Sequence, residues 1–378
     1  MQQTEASGTL SAGSRNWFSP RHYVPAVLVL VLLVLPLLLA GSPFYLHVAI
    51  MCLLFAYWAT CWNLVGGYAG TLSLGHAAYA GAGGYISTLL FMNLGLSPWL
   101  GLIPAGLVAM VVGLVIGYPT LRLRGPYFAL ATFALCETIR LWLENTSVVG
   151  DIKVMGSMGL SLPVHGDDPL NFEFASKVGY YYVILVMALA AVYITYRLER
   201  SRLGYHLAAI RTSIDAAESL GVNMARTRMI VFMLSAFMTG LGGTFFAQYI
   251  RYINPTRLFG FDMSFDMVFM SIVGGRATFL GPFMAALILT PFREAATAMF
   301  SGEVVWFGYT FTPRGLHIIL YGALLVVVMI FMPDGIYNPI MRVYNRLVGP
   351  LSGKRPAIDA TTPAPAGEVA TLQEKKLG

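Results

Sequence analysis

The stretch from His22 to Leu121 contains no Asp, Glu, Lys or Arg. A soluble core cannot shield that length of chain from water, whereas a lipid bilayer accommodates it as about four spans of ~20 residues each. The composition agrees, because 57% of the 378 residues are hydrophobic and only 11% are charged, against about 25% charged in an ordinary soluble domain. The sequence therefore predicts a helical protein that crosses a membrane several times.

Apolar stretches separated by short polar loops continue along the rest of the chain. The stretch Met263–Val273 is too short to cross a bilayer alone and runs into Gly274 and Gly275, which indicates a broken or re-entrant helix. We predict an all-α polytopic membrane protein with about ten transmembrane helices, or about nine if that stretch is re-entrant. The stretches are Val24–Ala40, Phe44–Val65, Thr71–Met92, Trp99–Tyr118, Tyr127–Leu143, Tyr180–Tyr196, Met229–Tyr249, Met263–Val273, Phe279–Met299 and Leu316–Met332.

The orientation in the membrane follows from the densest basic loop, residues 197–228. Cytoplasmic loops are enriched in Lys and Arg, so we place this loop in the cytoplasm. Alternation then puts both termini inside the cell and the polar loop 145–177 outside. Arg251 and Arg257 also fall outside, against the general tendency. The basic residues of the cytoplasmic loop are Arg197, Arg200, Arg202, Arg211, Arg226 and Arg228.

These spans divide the chain into three parts. Residues 1–23 form a cytoplasmic tail, residues 24–340 form the transmembrane domain, and residues 341–378 form a second cytoplasmic tail. The second tail has no apolar period and is predicted to be disordered and solvated. The formal net charge is +6. Because the basic residues lie in short loops and tails beside apolar stretches, they indicate membrane topology, and we predict no nucleic-acid partner.

Enzyme and metal signatures are incomplete. Cys52, Cys61 and Cys136 lie in apolar segments without a C-x-x-C pair or a neighbouring His. We therefore predict that they are packing residues and form neither a disulfide framework nor a metal site. Residues 349–355 resemble a phosphate loop but have three residues between the glycines where four are needed. We therefore expect that this chain is not an enzyme, binds no cofactor and does not itself hydrolyse ATP.

Two glycine-rich segments, Trp62–Tyr85 and Ile272–Pro282, interrupt the apolar stretches. Each glycine weakens a helix by about 1 kcal/mol relative to Ala, and backbone freed inside a membrane is tolerated only where it is buried in protein or lines a cavity. The glycines therefore either line a transport pathway or allow close helix packing, and the sequence leaves both open. The second segment partly repeats the first, which suggests an internal repeat. The pathway candidates are Gly66, Gly67, Ser73, Gly75, His76, Tyr79, Gly274 and Gly275.

Ionisable residues within the membrane are functional candidates. Glu137 lies in the middle of a predicted span with Arg140 one turn later, so an intrahelical ion pair and a substrate contact are equally plausible. His76 is either a neutral packing histidine or a pathway residue. Four further charged residues lie near span ends, where interfacial positions are expected: Asp262, Asp266, Arg293 and Glu294.

The cytoplasmic loop carries the most specific pattern. The sequence Asp215-Ala216-Ala217-Glu218-Ser-Leu-Gly221 predicts a short amphipathic helix ended by glycine and held between two spans. Such a helix either fits a groove in another protein, with its small face at Ala216 and Ala217 in the contact, or lies on the lipid headgroups.

Several motifs together resemble the permease subunits of bacterial ABC importers for branched-chain amino acids, a family that also serves urea, short amides and related small solutes. The resemblance runs from about Leu54 to Pro339. In that family a cytoplasmic Glu-Ala-Ala-x-x-x-Gly segment docks on the ATPase, and Asp215, Ala216, Ala217 and Gly221 match it, with Asp in place of Glu. The motifs are Asn63-Leu-Val-Gly-Gly-Tyr-Ala-Gly, Ser73-Leu-Gly-His, Gly125-Pro-Tyr-Phe-Ala-Leu, Ser201-Arg-Leu-Gly, Ala216-Ala-Glu-Ser-Leu-Gly and Ile272-Val-Gly-Gly-Arg-Ala-Thr.

The resemblance implies a set of partners. These are a homologous second permease subunit, two cytoplasmic ATP-binding subunits that hold ATP and Mg²⁺, a periplasmic solute-binding protein and the lipid bilayer. The expected cargo is a branched-chain or other hydrophobic amino acid, with urea, a short amide or a small organic acid as the alternative. A stand-alone secondary transporter or channel is the alternative of a different class, and it would depend mainly on Glu137 for ion coupling.

Overall fold

A computed structural model describes residues 20–39, 41–123, 125–149, 152–163, 166–300, 304–306, 309–311, 316–332 and 335–348. Most of both predicted tails, residues 1–19 and 349–378, lies outside these ranges. The chain divides into two units, residues 1–29 with 340–378, and residues 30–339. Within the first unit, the structure describes the start of helix α1 and most of helix α14. All other described residues belong to the second unit.

The described chain is almost entirely helical. Each of the ten predicted apolar stretches coincides with a helix, and short helices fill the two loops that flank α9. The helices are α1 (Pro20–Leu39), α2 (Pro43–Asn63), α3 (His76–Leu94), α4 (Pro98–Thr120), α5 (Pro126–Asn145), α6 (Lys177–Glu199), α7 (Arg202–Thr212), α8 (Ile214–Ser219), α9 (Met224–Ile250), α10 (Pro255–Leu258), α11 (Phe261–Gly274), α12 (Gly281–Phe300), α13 (Leu316–Phe331) and α14 (Tyr337–Val348).

Sheet structure in the described residues is limited to three two-stranded antiparallel ribbons in loops. β1 (Val148–Val149) pairs with β2 (Ile152–Lys153), β3 (Leu160–Ser161) with β4 (Tyr252–Ile253), and β5 (Val304–Trp306) with β6 (Tyr309–Phe311). The second ribbon ties the long loop after α5 to the end of α9.

Five of the described helical segments are long and apolar enough to cross a membrane: Pro43–Tyr68, Pro98–Thr120, Lys177–Glu199, Met224–Ile250 and Gly281–Phe300. The chain is therefore an all-α membrane protein that crosses the bilayer several times. The other long helices lack the length or the hydropathy that a membrane span needs. For example, α5 carries Glu137, Arg140 and Glu144, and α11 has only 14 residues.

Helix α2 occupies the centre of the bundle. In the apolar segment Pro43–Tyr68, which begins with α2, 89% of the most apolar stretch is buried, against 33% in α12. Helix α2 packs against α6, α9, α11 and α12. Trp58 and Trp62 are both at most 1% exposed. The indole N–H of Trp58 donates to the Thr239 carbonyl oxygen of α9 at 3.2 Å, so the largest side chain of the core is also hydrogen-bonded.

Small residues let α3, α4 and α9 pack closely together. A Cβ at Gly83 of α3 would overlap the backbone of Gly240 in α9, and one at Gly243 would overlap the backbone of Ala80. Bilayer helices associate through such close approaches because lipid supplies no hydrophobic drive between them. Close packing, one of the two explanations for the first glycine-rich segment, therefore applies to Gly83.

The loop 145–177 is more ordered than its polarity suggests. Phe172 is 1% exposed, and its ring centroid lies 4.4 Å from that of Trp99 at the start of α4. Asp168 caps the short helical turn Pro169–Asn171 by accepting from the amide of Leu170 at 3.1 Å. Arg251 and Arg257, which the positive-inside rule does not expect outside the cell, have partners in the structure. Arg251 donates to the Tyr180 hydroxyl, and Arg257 lies over the Phe246 ring.

The α3–α9 seam gives a first prediction. Gly83→Val should lower the free energy of unfolding by about 3 kcal/mol or more, because overpacking against backbone cannot be relieved by a side-chain rotation. Gly322→Ala in α13 is the matched control, since no atom lies within 4 Å of its added Cβ. Thermal unfolding of both purified variants in detergent checks this, and equal midpoints for the two would contradict the close approach.

Candidate functional site

The cytoplasmic loop between α6 and α9 contains two short helices, α7 and α8. Ser201 caps the start of α7, where its hydroxyl accepts from the amide of Gly204 at 3.3 Å. Leu207 and Ile210 of α7 are each 1% exposed, and α7 packs against α6 and α9. The loop is therefore a folded structure on the membrane domain and holds α8 in a fixed position.

Helix α8, residues Ile214–Ser219, matches the predicted motif and is capped at both ends. The Ser213 hydroxyl accepts from the amide of Ala216 at 3.3 Å. At the other end Gly221 has a φ of 82°, and the amides of Gly221 and Val222 donate to the carbonyl oxygens of Glu218 and Ala217. This pair of bonds is the left-handed cap that commonly ends a helix at glycine, so the predicted helix end is confirmed.

The exposed side of α8 differs in one respect from the expectation. Ala217 is only 2% exposed and faces its own chain, so the expectation that both alanines face outward is wrong for Ala217. Asp215, Ala216 and Glu218 are exposed, and Leu220 has 82% of its surface exposed. Beside them lies an open groove of about 360 Å³, lined by Glu218, Gly221, Val222, Asn223, Met224 and Ala225.

The first glycine-rich segment breaks the helix before α3. A π-helical turn, Leu64–Tyr68, follows α2, and residues 69–75 are not helical, so α3 begins five residues later than the predicted stretch. The broken backbone is hydrogen-bonded inside the protein: the carbonyl oxygen of Ser73 accepts from the Trp62 indole at 2.7 Å, and the amide of Leu74 donates to Thr132. The carbonyl of Ser73 and the amide of Leu74 therefore have partners inside the protein, as non-helical backbone in a membrane requires.

His76 begins α3 and is fully buried. Its ring nitrogens lie 3.1 Å from the Ser73 hydroxyl and 3.0 Å from the Ser235 hydroxyl. Tyr79, one turn later, is also 0% exposed. Both nitrogens of His76 therefore have partners in the packed interior, and in this conformation neither His76, Ser73 nor Tyr79 borders an open passage.

The second glycine-rich segment breaks the chain after α11 and meets the first one. Gly275 has a φ of 115°, which L-residues rarely adopt, and it turns the chain toward α12. Asn63, at the end of α2, closes this turn with three hydrogen bonds: its amide donates to the Thr278 carbonyl oxygen at 2.8 Å, and its oxygen accepts from Ser271 and from the amide of Ala277. One buried side chain thus joins both breaks.

The π-helical turn also contacts the cytoplasmic loop. Tyr68 is 6% exposed and its hydroxyl donates to Glu199, the last residue of α6, at 2.9 Å. Tyr337 at the start of α14 lies near the same carboxylate, and burial, together with the Glu199 charge, raises the pKa of Tyr337. Residues from three separate segments of the chain therefore lie close together around Glu199.

Glu137 belongs to a charged triad on α5. Its carboxylate pairs with Arg140 at 2.5 Å, and Arg140 also pairs with Glu144 at 2.5 Å. Glu144 is not among the residues predicted above, although its i,i+4 spacing from Arg140 is the signal for such a pair. The side chains of both glutamates are about 30% exposed, so the triad lies at the surface of the single chain.

A second ion pair joins α11 and α12. Asp266 pairs with Arg293, which also lies 3.3 Å from Glu294, and the guanidinium of Arg293 is 4.3 Å from the Phe55 ring centroid. These side chains are 16–22% exposed, so they join α11 to α12; their position near span ends stays a prediction. Within the described ranges, no group of three His, Cys, Asp or Glu could hold a metal ion.

Comparison with known proteins gives one consistent family. Residues 44–329 match the family model for the branched-chain amino acid transport system permease component. The high-affinity branched-chain amino acid transport system permease protein LivM of Salmonella typhimurium is 29% identical over 297 residues, which cover 72% of this chain and 65% of that protein; LivM of Escherichia coli K12 gives the same values. The corresponding permease protein LivH of Escherichia coli K12 is 25% identical over 75% of this chain and 90% of LivH.

The chain thus spans about two thirds of the length of the LivM relatives. No solved structure is significantly similar to it.

The triad on α5 gives the second prediction. Glu137→Gln alone should lower the free energy of unfolding by less than about 1 kcal/mol, because Arg140 keeps Glu144. Glu137→Gln together with Glu144→Gln leaves Arg140 unpaired in the membrane and should cost about 2.5–3.5 kcal/mol. Unfolding of the single and double variants in mixed micelles measures both, and a double-variant cost equal to the sum of the single costs would contradict shared pairing.

Proposed function

Because this chain belongs to the family of branched-chain amino acid transport system permease components and is LivM-like, we propose that it is the membrane-spanning subunit of an ATP-driven importer. It receives a small solute from a periplasmic binding protein and passes it across the bacterial inner membrane. A homologous second permease completes the passage, and two cytoplasmic ATP-binding subunits supply the energy. ATP and Mg²⁺ bind to those subunits, and this chain binds no cofactor and has no ATPase site of its own.

The observation that carries the proposal is the construction of α8. A helix of six residues is too short to be stable alone, and here caps at both ends and the buried methyl group of Ala217 hold it on the membrane domain. Its other side presents Asp215, Ala216, Glu218 and the exposed Leu220. A rigid, exposed short helix between two long spans suits the transmission of motion from a partner protein.

The charge pattern supports the orientation. With loop 197–228 in the cytoplasm, ten spans bring both termini, residues 1–23 and 341–378, to the same side, and the loop 145–177 to the periplasm. Arg251 and Arg257 are held by aromatic residues in the structure, so their outside position does not oppose this arrangement.

The cargo is best described as a branched-chain or other hydrophobic amino acid. The relatives reported above are named for branched-chain amino acid transport, which favours this cargo over urea or a short amide. Membership of the family equally disfavours a stand-alone ion-coupled transporter.

The predicted pathway residues fall into a buried group and a partly exposed group. Ser73, His76 and Tyr79 have no exposed surface, and Gly67, Gly75, Gly274 and Gly275 are buried as well, so we assign them to the packed helix breaks. Glu137 lies in the partly exposed triad of α5. A charged group at such depth avoids lipid, so we assign this face of α5 to the passage or to the contact with the second permease.

The orientation predicts how single cysteines react with a membrane-impermeant maleimide. Thr212→Cys should react only after the cells are permeabilised, whereas Leu170→Cys, at a position with 79% of its surface exposed, should react in intact cells. The native cysteines are buried and give little background. Labelling of Thr212→Cys but not Leu170→Cys in intact cells would show that the chain is inverted.

The coupling role predicts the effect of bulk on α8. Ala216→Trp should lower solute uptake and the stimulation of ATP hydrolysis by about tenfold or more, since overpacking a tight contact costs about 1–3 kcal/mol. Ala208→Trp, the same change at an exposed position of α7, is the matched control and should retain both activities. The assay uses the whole complex in nanodiscs with loaded binding protein; normal stimulation of the Ala216→Trp complex would remove α8 from the coupling contact.

A further inference from the structure

Two hydrogen-bonded side chains connect the cytoplasmic loop to the broken helices. This inference rests on the proposed function: we propose that Tyr68 is a positioning residue, which through its bond to Glu199 transmits movement of the loop to both glycine-rich breaks. Asn63, five residues earlier, carries the movement from the first break to the second.

The outer end of this link lies at the start of the cytoplasmic loop. Glu199 is the last residue of α6, two residues before the cap of α7, and its exposed side chain accepts from the buried hydroxyl of Tyr68 at 2.9 Å. A methyl group at Gly70 would lie 3.8 Å from Cγ of Arg211 in α7. The π-helical turn Leu64–Tyr68 and the two residues after it therefore contact the end of α6 and helix α7 of the loop.

The inner end of the link lies at Asn63. This side chain is fully buried and forms three hydrogen bonds with Ser271, Ala277 and Thr278. The second break is also held from the far side, because the amide of Ile336 donates to the Val273 carbonyl oxygen at 2.8 Å. Since the contacts are buried and directional, a displacement of residues 64–68 cannot be absorbed by loose packing.

The backbone of the link differs from that of an ordinary helix. π-helical turns are uncommon and frequently lie at functional sites. Here the turn begins directly after Asn63 and ends at Tyr68, so it connects the two side chains of the link. This irregular turn opens the first break and lies between the loop contact of Tyr68 and the contacts of Asn63 with the second break. Both the loop and the membrane segments can therefore act on it, which is what coupling requires.

The test removes one hydroxyl group. Tyr68→Phe keeps the ring and deletes the bond to Glu199, and Tyr57→Phe is the matched control. Tyr57 lies in α2, the helix before this turn, and its hydroxyl donates to the Met238 carbonyl oxygen of α9 at 2.5 Å. Tyr57→Phe therefore also removes a tyrosine hydrogen bond between two segments, but away from the loop. Glu199→Gln retains an acceptor for Tyr68, and Glu199→Ala does not.

The measurement is the ratio of stimulated to basal ATP hydrolysis of the assembled complex in nanodiscs, with leucine-loaded binding protein as the stimulus. Tyr68→Phe and Glu199→Ala should lower the ratio by about fivefold, the lower end of ordinary coupling effects between sites, while Tyr57→Phe and Glu199→Gln keep it near that of the unaltered complex. Assembly is checked by co-purification, and Glu199→Ala, at an exposed position, carries the test if Tyr68→Phe does not assemble.

The possible failures are distinguishable. If the unaltered complex shows no stimulation, the proposed function itself fails. If it is stimulated and Tyr68→Phe is stimulated equally, the link is wrong and the importer assignment stands. An equal loss in Tyr68→Phe and Tyr57→Phe would also overturn the link, because any buried hydroxyl would then have the same effect.

Discussion

The structure depends on one requirement of the membrane: a backbone that leaves the helix must find its hydrogen-bond partners inside the protein. The chain leaves the helix twice near the centre of the bundle, before α3 and after α11. Asn63 supplies partners for the second break from the end of α2, while Trp62, Ser73 and Thr132 supply those of the first. The two breaks are therefore a single hydrogen-bonded unit built around the most buried helix.

This arrangement explains why glycine is abundant where helices would otherwise be continuous. At Gly275 the glycine allows a backbone turn, whereas at Gly83 it allows two helices to approach each other. The cost in helix propensity, about 1 kcal/mol per glycine, is offset where tight packing and internal hydrogen bonds follow. The result is a packed core with two irregular joints, which is the kind of element that rigid-body movement of helices needs.

Much of this was predictable from the sequence, and particular residues show where the prediction stopped. The charge-free stretch predicted the membrane helices, and Gly221 predicted the end of α8, because both signals depend on local chemistry. The third member of the α5 triad, Glu144, had a local signal in its i,i+4 spacing from Arg140. The inward direction of Ala217 depends on how α8 packs against α7 and α9, and the bond between Tyr68 and Glu199 joins residues 131 positions apart. The sequence contained Asn63 within a recognised motif, yet its three partners lie more than 200 residues away, beyond the reach of periodicity.

We infer that this chain transports only as part of an ATP-driven complex. Leucine uptake should be measured in proteoliposomes that contain the chain alone, or the chain with the second permease, the ATP-binding subunits and loaded binding protein. Uptake is expected only with the full complex and only with hydrolysable ATP. Leucine uptake by the chain alone, driven by a sodium or proton gradient, would contradict it.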